Sequence, residues 1–455
     1  MNLKETIESG SSIIYRLHGD KIIWMIVILL SIASVALIYS SSSSLAFKEG
    51  STNFDYLLKQ VGFVAMGLVF LFIAYKIPLG VYRAAVYLLF GISLVLLTLT
   101  PIIGVEINHA KRWLEIGPVS FQPAEIVKIT LIMYIAKTIE LYRLETFREF
   151  FWRIIVPVGY VCLVILLSSV STAIVVGLIS LLVLIIAGVR WSHIFKAAGI
   201  AAATFVLAVS LHLAFDIFPR FDTATNRIKG FFANEEEAHQ MTAEEKQQEA
   251  DKTFQADMAQ IAISSGKIIG KGPGKSTQRY VLPHPYSDFI YSIIIEEYGI
   301  VGGTVILLFY LQLLYRCVML VKNCTRKFSA ITVGGIGLMI VLQAFLHILV
   351  NVGILPVTGH TLPLVSLGGT SYIIFSIAFG IILSVSRTIE KDNDRKTREL
   401  ALATAAAGAE SDAQSAEVIA ANGIEESDEE LKKRTAPARK EELHEIIDHT
   451  TGEFK

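Results

Sequence analysis

The sequence predicts an all-α polytopic membrane protein of about ten transmembrane helices, and three observations carry that expectation. The first is composition. Of the 455 residues 53% are hydrophobic and only 18% charged, and the mean hydropathy is +0.56, more apolar surface than a water-soluble domain hides. The second is the recurrence of apolar runs of the length a bilayer requires, about 20 residues each. They lie near 22–42, 56–75, 82–102, 122–140, 152–168, 170–189, 193–215, 298–321, 328–350 and 364–386. The third is that Lys and Arg accumulate in alternate short loops, the mark of the cytoplasmic side.

Taken in order, residues 1–21 form a cytoplasmic N-terminus with Lys4, Arg16 and Lys21. The first apolar run is too long for a signal-peptide core and no small-residue cleavage pattern follows it, so it reads as a retained helix. Lys76 and Arg83, then Lys137, Arg143, Arg148 and Arg153, then Arg190 and Lys196, then Arg316, Lys322, Arg326 and Lys327, and finally Arg387 and Lys391 mark the same side. The opposite short loops hold only Lys48, Lys111 and Arg112. The expected orientation is therefore N-in, C-in, with a ten-helix membrane domain over 22–387 and a large extracytoplasmic loop, 216–297, between helices 7 and 8.

From 388 the composition turns to Ala and mixed charges with no sustained apolar stripe. A disordered or transiently helical cytoplasmic tail over 388–455 is expected, with a docking segment for a cytoplasmic partner as the alternative. The acidic stretch 234–254 reads as a solvated helix. Cys162, Cys317 and Cys324 are placed neither for an extracellular disulfide nor at a metal-site spacing, and read as packing residues. The net charge of −1 points to no partner, and no nucleic-acid partner is expected.

Four stretches, in the three outer loops 103–121, 216–297 and 351–363, carry chemistry. "GKGPGKST" resembles a phosphate-binding loop, but three residues rather than four separate Gly270 from Gly274, and no strand precedes it. Its glycines permit close backbone approach, and Lys267, Lys271, Lys275 and Arg279 gather positive charge beside the membrane, suited to lipid headgroups or to a diphosphate. In "AKRWLEIGPVSFQPAEIVKI", Lys111, Arg112 and Trp113 fit either an interfacial anchor or a binding role. Gln122 and Pro123 open a helix in which Glu125 and Lys128 stand at i and i+3, reading as the wall of a polar cavity or as a local ion pair. In "NVGILPVTGHTLPLVSLGGTS", Pro and Gly interrupt apolar sequence, which implies irregular backbone buried in protein or lining a cavity. His360 reads as a loop residue, and Ser366, Gly368 and Gly369 as small residues permitting close helix packing. Asp288, in "LPHPYSDFIYSIII", sits where a polar loop meets an apolar run, and reads as a catalytic carboxylate or as the N-cap of a helix from Phe289.

Together these stretches resemble the SEDS family (shape, elongation, division and sporulation), and "RWLEIGPVSFQPAEIVKI", "IAISSGKIIGKGPGKSTQRYVLP", "SDFIYSIIIEEYG" and "LPVTGHTLPLVSLGGTS" follow the family's order. "STQRYVLP" is more similar to the division branch than to the elongation branch. The family's Pro-Glu-x-His-Thr-Asp is replaced here by Pro283, His284, Pro285, Tyr286, Ser287 and Asp288. The family's Gln-Pro-Asp is replaced near Ser169 to Thr172.

The resemblance implies a multi-pass enzyme of the bacterial cytoplasmic (inner) membrane, placed at the division septum, that polymerises peptidoglycan glycan strands. The growing polyprenyl-diphosphate-linked strand is donor and lipid II the acceptor. Asp288 is then the catalytic base. Arg112, with Lys111, Trp113, Lys271, Lys275 and Arg279, binds the diphosphate-linked substrate, while Gln122, Pro123, Glu125, Lys128, Ser366, Gly368 and Gly369 shape the cavity. A divalent cation, Mg or Mn, is a candidate aid to diphosphate departure, with metal ligands unassigned and no organic cofactor expected. Expected partners are a class B penicillin-binding protein and other division or elongation proteins. The competing readings are a lipid II flippase or transporter and a non-enzymatic division scaffold.

Overall fold

The computed structural model describes residues 18–42, 52–107, 110–117, 119–215, 225, 243–282 and 285–421. The expectations placed on 1–17, Lys48, Pro283, His284, 234–242 and 422–455 lie outside these residues. Two compact units divide the chain, Met1–Glu390 and Lys391–Lys455.

All ten apolar runs fall on helices. In chain order they are α1 (Lys21–Ser41), α2 (Asn53–Lys76), α3 (Leu79–Ile103), α4 (Pro123–Leu141), α5 (Phe147–Leu166), α6 (Val170–Ile186) and α7 (Trp191–Phe215), and, after α8 (Ala243–Gly266), α9 (Ile290–Asn323), α10 (Lys327–Asn351) and α11 (Thr370–Ala421). Eight of these, all but α4, α6 and the polar α8, are long and apolar enough to cross a membrane. The apolar α6 has 17 residues, and α4 carries Glu125, Lys128, Lys137 and Glu140. The molecule is an integral membrane protein of all-α class.

Local chemistry sets the helix ends. Asp20 caps α1 by accepting from the amides of Ile22 at 2.9 Å and Ile23 at 3.2 Å, and its other oxygen meets Arg316 of α9 at 2.6 Å. Pro123 starts α4, where a missing N–H costs nothing. In α5 a π turn at Phe151–Ile155 precedes Pro157. The Arg153 carbonyl, which Pro157 cannot bond, accepts instead from the Tyr134 hydroxyl at 2.9 Å.

Between α3 and α4 the chain forms a small antiparallel meander of β1 (Val105–Ile107), β2 (Ala110–Ile116) and β3 (Val119–Phe121), in the order β1-β2-β3. Sequence reading treated this stretch as a loop; its strands are too short for a clear period-2 signal. The loop expected over 216–297 likewise contains α8 and the first turns of α9. The solvated helix expected over 234–254 overlaps α8 from Ala243 onward, whereas the Glu296–Glu297 pair hid the first turns of α9 from an apolar-run criterion. The tail from 388, expected to be disordered or transiently helical, is helical through Ala421, in keeping with its Ala-rich composition and an i,i+4 pair, Arg395 to Glu399 at 2.8 Å.

Packing buries α10 and the membrane part of α11 most and α7 least: 67% and 72% of their most apolar stretches are buried, against 6% for α7. Beside the α8–α9 pair, helix pairs α9 and α10, α3 and α4, and α4 and α10 form the main contacts. In a bilayer such pairs gain from close backbone approach rather than from escaping water. A Cβ at Gly337 of α10 would lie 2.5 Å from Cys317 Sγ of α9, and one at Gly380 of α11 would lie 2.5 Å from the Leu71 carbonyl of α2.

One break matters for the site. Gly299 interrupts α9 at φ 70°, ψ −174°, a conformation open essentially to glycine alone. The helical bonds that Ile300 and Val301 would make to Glu296 and Glu297 are exchanged with the segment after α8. Ile300 and Val301 donate to the carbonyls of Lys267 (3.0 Å) and Ile268 (3.3 Å), while Lys271 and Gly272 donate to the carbonyls of Glu296 and Glu297, both at 2.9 Å. Backbones meet so closely that a Cβ at Gly266, Gly270 or Gly299 would come within 2.3 Å of a carbonyl oxygen.

Candidate active site

Asp288 lies in a turn just ahead of α9, partly exposed. It is not the helix cap: Phe289 is the N-cap and contributes no side-chain bond. The amide of Ser292 in the first turn, which makes a turn bond to Phe289 O at 3.1 Å, also donates to Asn351 Oδ1, at the end of α10, at 3.1 Å, and the Ser292 hydroxyl donates to the same oxygen at 2.9 Å. Three consecutive carbonyls of the turn are held from outside it. Tyr286 O accepts from the Leu367 amide at 2.9 Å, Ser287 O from the Ser366 hydroxyl at 2.8 Å, and Asp288 O from Asn351 Nδ2 at 3.0 Å.

The irregular stretch 354–369 supplies the other wall. Gly359, at φ +71°, lies so close to the acid that a Cβ there would stand 3.5 Å from Asp288 Oδ2. Ser366, read from sequence as a small packing residue, is a hydrogen-bonding tie: it also accepts from the Leu362 amide at 2.8 Å. Gly368 and Gly369 precede α11 rather than lying within it, and close helix approach falls to Gly67 and Gly380 instead. At Gly369, φ is +46° and a Cβ would lie 3.5 Å from the Phe63 ring.

Beneath the turn, α10 presents a buried polar stripe at i, i+4 and i+8: Gln343, His347 and Asn351, each 1% exposed. His347 Nδ1 lies 2.7 Å from the His360 carbonyl, and Gln343 Oε1 accepts from Lys128 Nζ at 2.7 Å. Lys128, itself 1% exposed, pairs with Glu125 at 2.8 Å in the first two turns of α4. Glu125 and Lys128 therefore form a buried ion pair extended by an amide, the arrangement that makes burial of two charges tolerable.

The β meander reaches the same end of the bundle, since Thr370 at the start of α11 donates to Ser120 O at 2.9 Å. Gln122 is the N-cap position of α4, without a side-chain cap bond, and Pro123 follows it. On β2, Lys111 is exposed, while Arg112 and Trp113 are half-buried. Arg112 Nε donates to Ser168 O, in the turn between α5 and α6, at 3.0 Å.

The basic glycine segment after α8 divides into committed and outward groups. Its backbone amides serve the break in α9 rather than a ligand, which corrects the phosphate-loop analogy further. Lys271 Nζ is 2.5 Å from Oε1 of the fully buried Glu296, which also accepts from Ser276, Thr277 and Gln278. Arg279 donates to Ser40 O at 3.0 Å and its guanidinium stands over the Tyr280 ring. Lys275 is exposed. Among the described residues no group of three or more His, Cys, Asp or Glu is placed to hold a metal ion.

Asn351, Glu296 and Gly299 escaped sequence reading. The spacing of Gln343, His347 and Asn351 was the available signal for the first, since three polar residues on one helical face in apolar sequence mark a buried contact. Glu296 and Gly299 lay in "EEYG", where nothing local announces the partner segment.

Comparison with known proteins agrees with this architecture. The family model described as cell cycle protein, covering FtsW, RodA and SpoVE, matches residues 20–391. A protein of Hydrogenovibrio crunogenus named probable peptidoglycan glycosyltransferase FtsW is 32% identical over 373 residues, 80% of this chain and 90% of that protein. A chain from a solved peptidoglycan synthase complex, described as coordinating polymerization and crosslinking, has a TM-score of 0.60 at 26% identity, covering 80% of this chain and 97% of its own. The rod shape determining protein RodA of Thermus thermophilus has a TM-score of 0.54 at 25% identity, covering 79% of this chain and 95% of its own. The chain belongs to the SEDS family of FtsW, RodA and SpoVE.

Proposed function

We propose that the chain polymerises peptidoglycan glycan strands, with Asp288 as the general base and lipid II as acceptor. The chain is a peptidoglycan glycosyltransferase of the SEDS family, most similar to FtsW with RodA as the near alternative. The observation that carries the mechanism is the triple anchoring of the Asp288 turn by Leu367, Ser366 and Asn351. A carboxylate serving only as a surface charge or a cap needs no such restraint.

The acceptor's GlcNAc 4-hydroxyl is a poor nucleophile at neutral pH. Asp288 takes its proton as the oxygen attacks the anomeric carbon of the donor strand, and the bond from that carbon to the polyprenyl diphosphate breaks. Base catalysis of this kind contributes about 10²- to 10⁴-fold. Arg112 meets the departing diphosphate with a planar fork suited to phosphate oxygens, and Lys111, Lys275 and Arg279 supply further positive charge. Trp113 seats the lipid-linked substrate at the interface. Lys271 acts indirectly, by holding the basic segment on α9. Gln122, Pro123, Glu125 and Lys128 order the start of α4, and Ser366, Gly368 and Gly369 the loop opposite Asp288. No step is assigned to a metal ion.

The charge pattern of the loops supports an N-in, C-in orientation in the bacterial cytoplasmic membrane, which puts Asp288 at the outer face where lipid-linked sugars are displayed. The division branch makes the septum the place of action, with a class B penicillin-binding protein as crosslinking partner. Labelled lipid II offered to the purified chain with its partner tests the reading. Asp288→Asn keeps size and hydrogen bonding but cannot accept the proton, so product is expected to vanish while the protein stays folded. Near-normal strands from that variant would remove Asp288 as base.

A further inference from the structure

The side chain of Asn351 performs two separable tasks. Its Oδ1 faces the Ser292 amide and hydroxyl, and its Nδ2 faces two carbonyl oxygens, Asp288 O at 3.0 Å and His347 O at 2.9 Å. This assignment of the amide is the only one that pairs donors with acceptors, because a flipped group would set oxygen against both carbonyls. The residue is 1% exposed, its bonds to Ser292 and His347 O are buried, and its bond to Asp288 O is partly so.

We propose that Asn351 is a positioning residue for Asp288, acting through the donor half of its carboxamide. This inference rests on the assignment of Asp288 as base. The acceptor half is a helix cap delivered from a neighbouring helix, and the donor half pins the backbone of the acid itself. Leu367 and Ser366 grip the two preceding carbonyls from the opposite wall, and Gly359 leaves the carboxylate its space. Asn351 is the only one of the three anchors that holds residue 288 directly. Its own place is fixed by the His347 carbonyl one turn back on α10. Loss of the donor lets the turn move relative to the 359–367 wall, and a displacement of about 1 Å at a reacting group costs on the order of 10²-fold in rate.

Asn351→Asp separates the two tasks. It keeps an acceptor for Ser292, favourably placed at a helix N-terminus, and removes the amide donor to Asp288 O. The full-length chain with its penicillin-binding partner is given fluorescent lipid II over a range of concentrations, with rates expressed per folded complex. Asn351→Asp and Asn351→Ala are each expected to lower kcat by about 10- to 100-fold and to leave KM within about threefold of wild type. Tyr82→Phe, which deletes a remote buried hydrogen bond to Ala74 O, is expected to lower the melting temperature and leave kcat alone. Wild-type kcat from Asn351→Asp, or a loss confined to KM, overturns the positioning role and leaves a cap. The two assignments fail differently: an active Asp288→Asn removes the base, whereas an inactive Asp288→Asn beside a fully active Asn351→Asp removes only the present inference.

Discussion

The ammonium of Lys271 stands 2.5 Å from Oε1 of Glu296, a carboxylate with no solvent exposure. The pair joins the segment after α8 to the broken helix that follows Asp288, and the two partners are not equivalent. Glu296 has further donors from Ser276, Thr277 and Gln278, whereas Lys271 has one other acceptor, the Thr277 hydroxyl at 2.9 Å. Removing Glu296 leaves the donors of Ser276, Thr277 and Gln278 without their acceptor, while the partly exposed Lys271 can turn to water. Glu296→Ala is expected to cost at least about 1–3 kcal/mol, the cost of a buried donor left unsatisfied. Lys271→Ala is expected to cost less, because the remaining donors still satisfy the carboxylate. Thermal melts of the purified proteins in detergent check the order, and equal losses would contradict it.

Arg112 combines a structural tie with the proposed phosphate contact. Its Nε donates to Ser168 O, a bond that the single ammonium of lysine reproduces poorly. Arg112→Ala is expected to weaken use of the diphosphate-linked substrate by about 10- to 100-fold, the worth of a charged hydrogen bond of about 1.5–3 kcal/mol. Arg112→Lys should recover part of that loss. Lipid II titrations in the polymerisation assay measure it; wild-type affinity and turnover in both variants would exclude the phosphate role.

Glycines of the same sequence differ sharply in what they permit. A Cβ at Gly299 would lie 2.0 Å from the Ile268 carbonyl at a positive φ, while one at Gly91 in α3 meets nothing within 4 Å. Gly299→Ala is expected to destabilise by more than about 1–3 kcal/mol, the cost of the backbone strain alone. Gly91→Ala is expected to be neutral or to stabilise by about 0.5–1 kcal/mol. Folded yield and melting temperature of the two variants decide the point.

Glycan strands must be crosslinked, and among the described residues no helix or loop builds a transpeptidase domain. Low polymerase activity is expected from the isolated chain, with a clear rise on addition of the cognate class B penicillin-binding protein even when its active-site serine is blocked by a β-lactam. Activity that is full without the partner and flat across its concentration would contradict that coupling.

The helices of the membrane unit were legible because a bilayer forces long apolar runs, and Pro123 and the Glu125–Lys128 spacing announced the start of α4 correctly. Asp288 was legible as a polar residue at the edge of such a run. Its surroundings were not. Asn351, Ser366 and Leu367 come from segments 60 or more residues away; the polar spacing of Gln343, His347 and Asn351 marks a buried contact but not its partner, because a hydrogen bond to a backbone carbonyl leaves no trace in the residue that accepts it. The same reason explains Lys271: its charge was visible, but Glu296, the group that occupies it, sits in a stretch that reads as the end of a loop.

The exchange of backbone hydrogen bonds at Gly299 makes the segment from Lys267 to Gly272 a part of fixed length. Surface loops ordinarily absorb insertions at little cost, but here two carbonyls and two amides are matched in phase to residues 296, 297, 300 and 301. Adding or deleting one residue between Lys267 and Lys271 puts the two sets out of step and leaves polar backbone groups unpaired beside the membrane core. Variation in the length of this region is therefore confined to stretches away from the joint, and a stretch that looks like connecting sequence behaves as part of the bundle's frame.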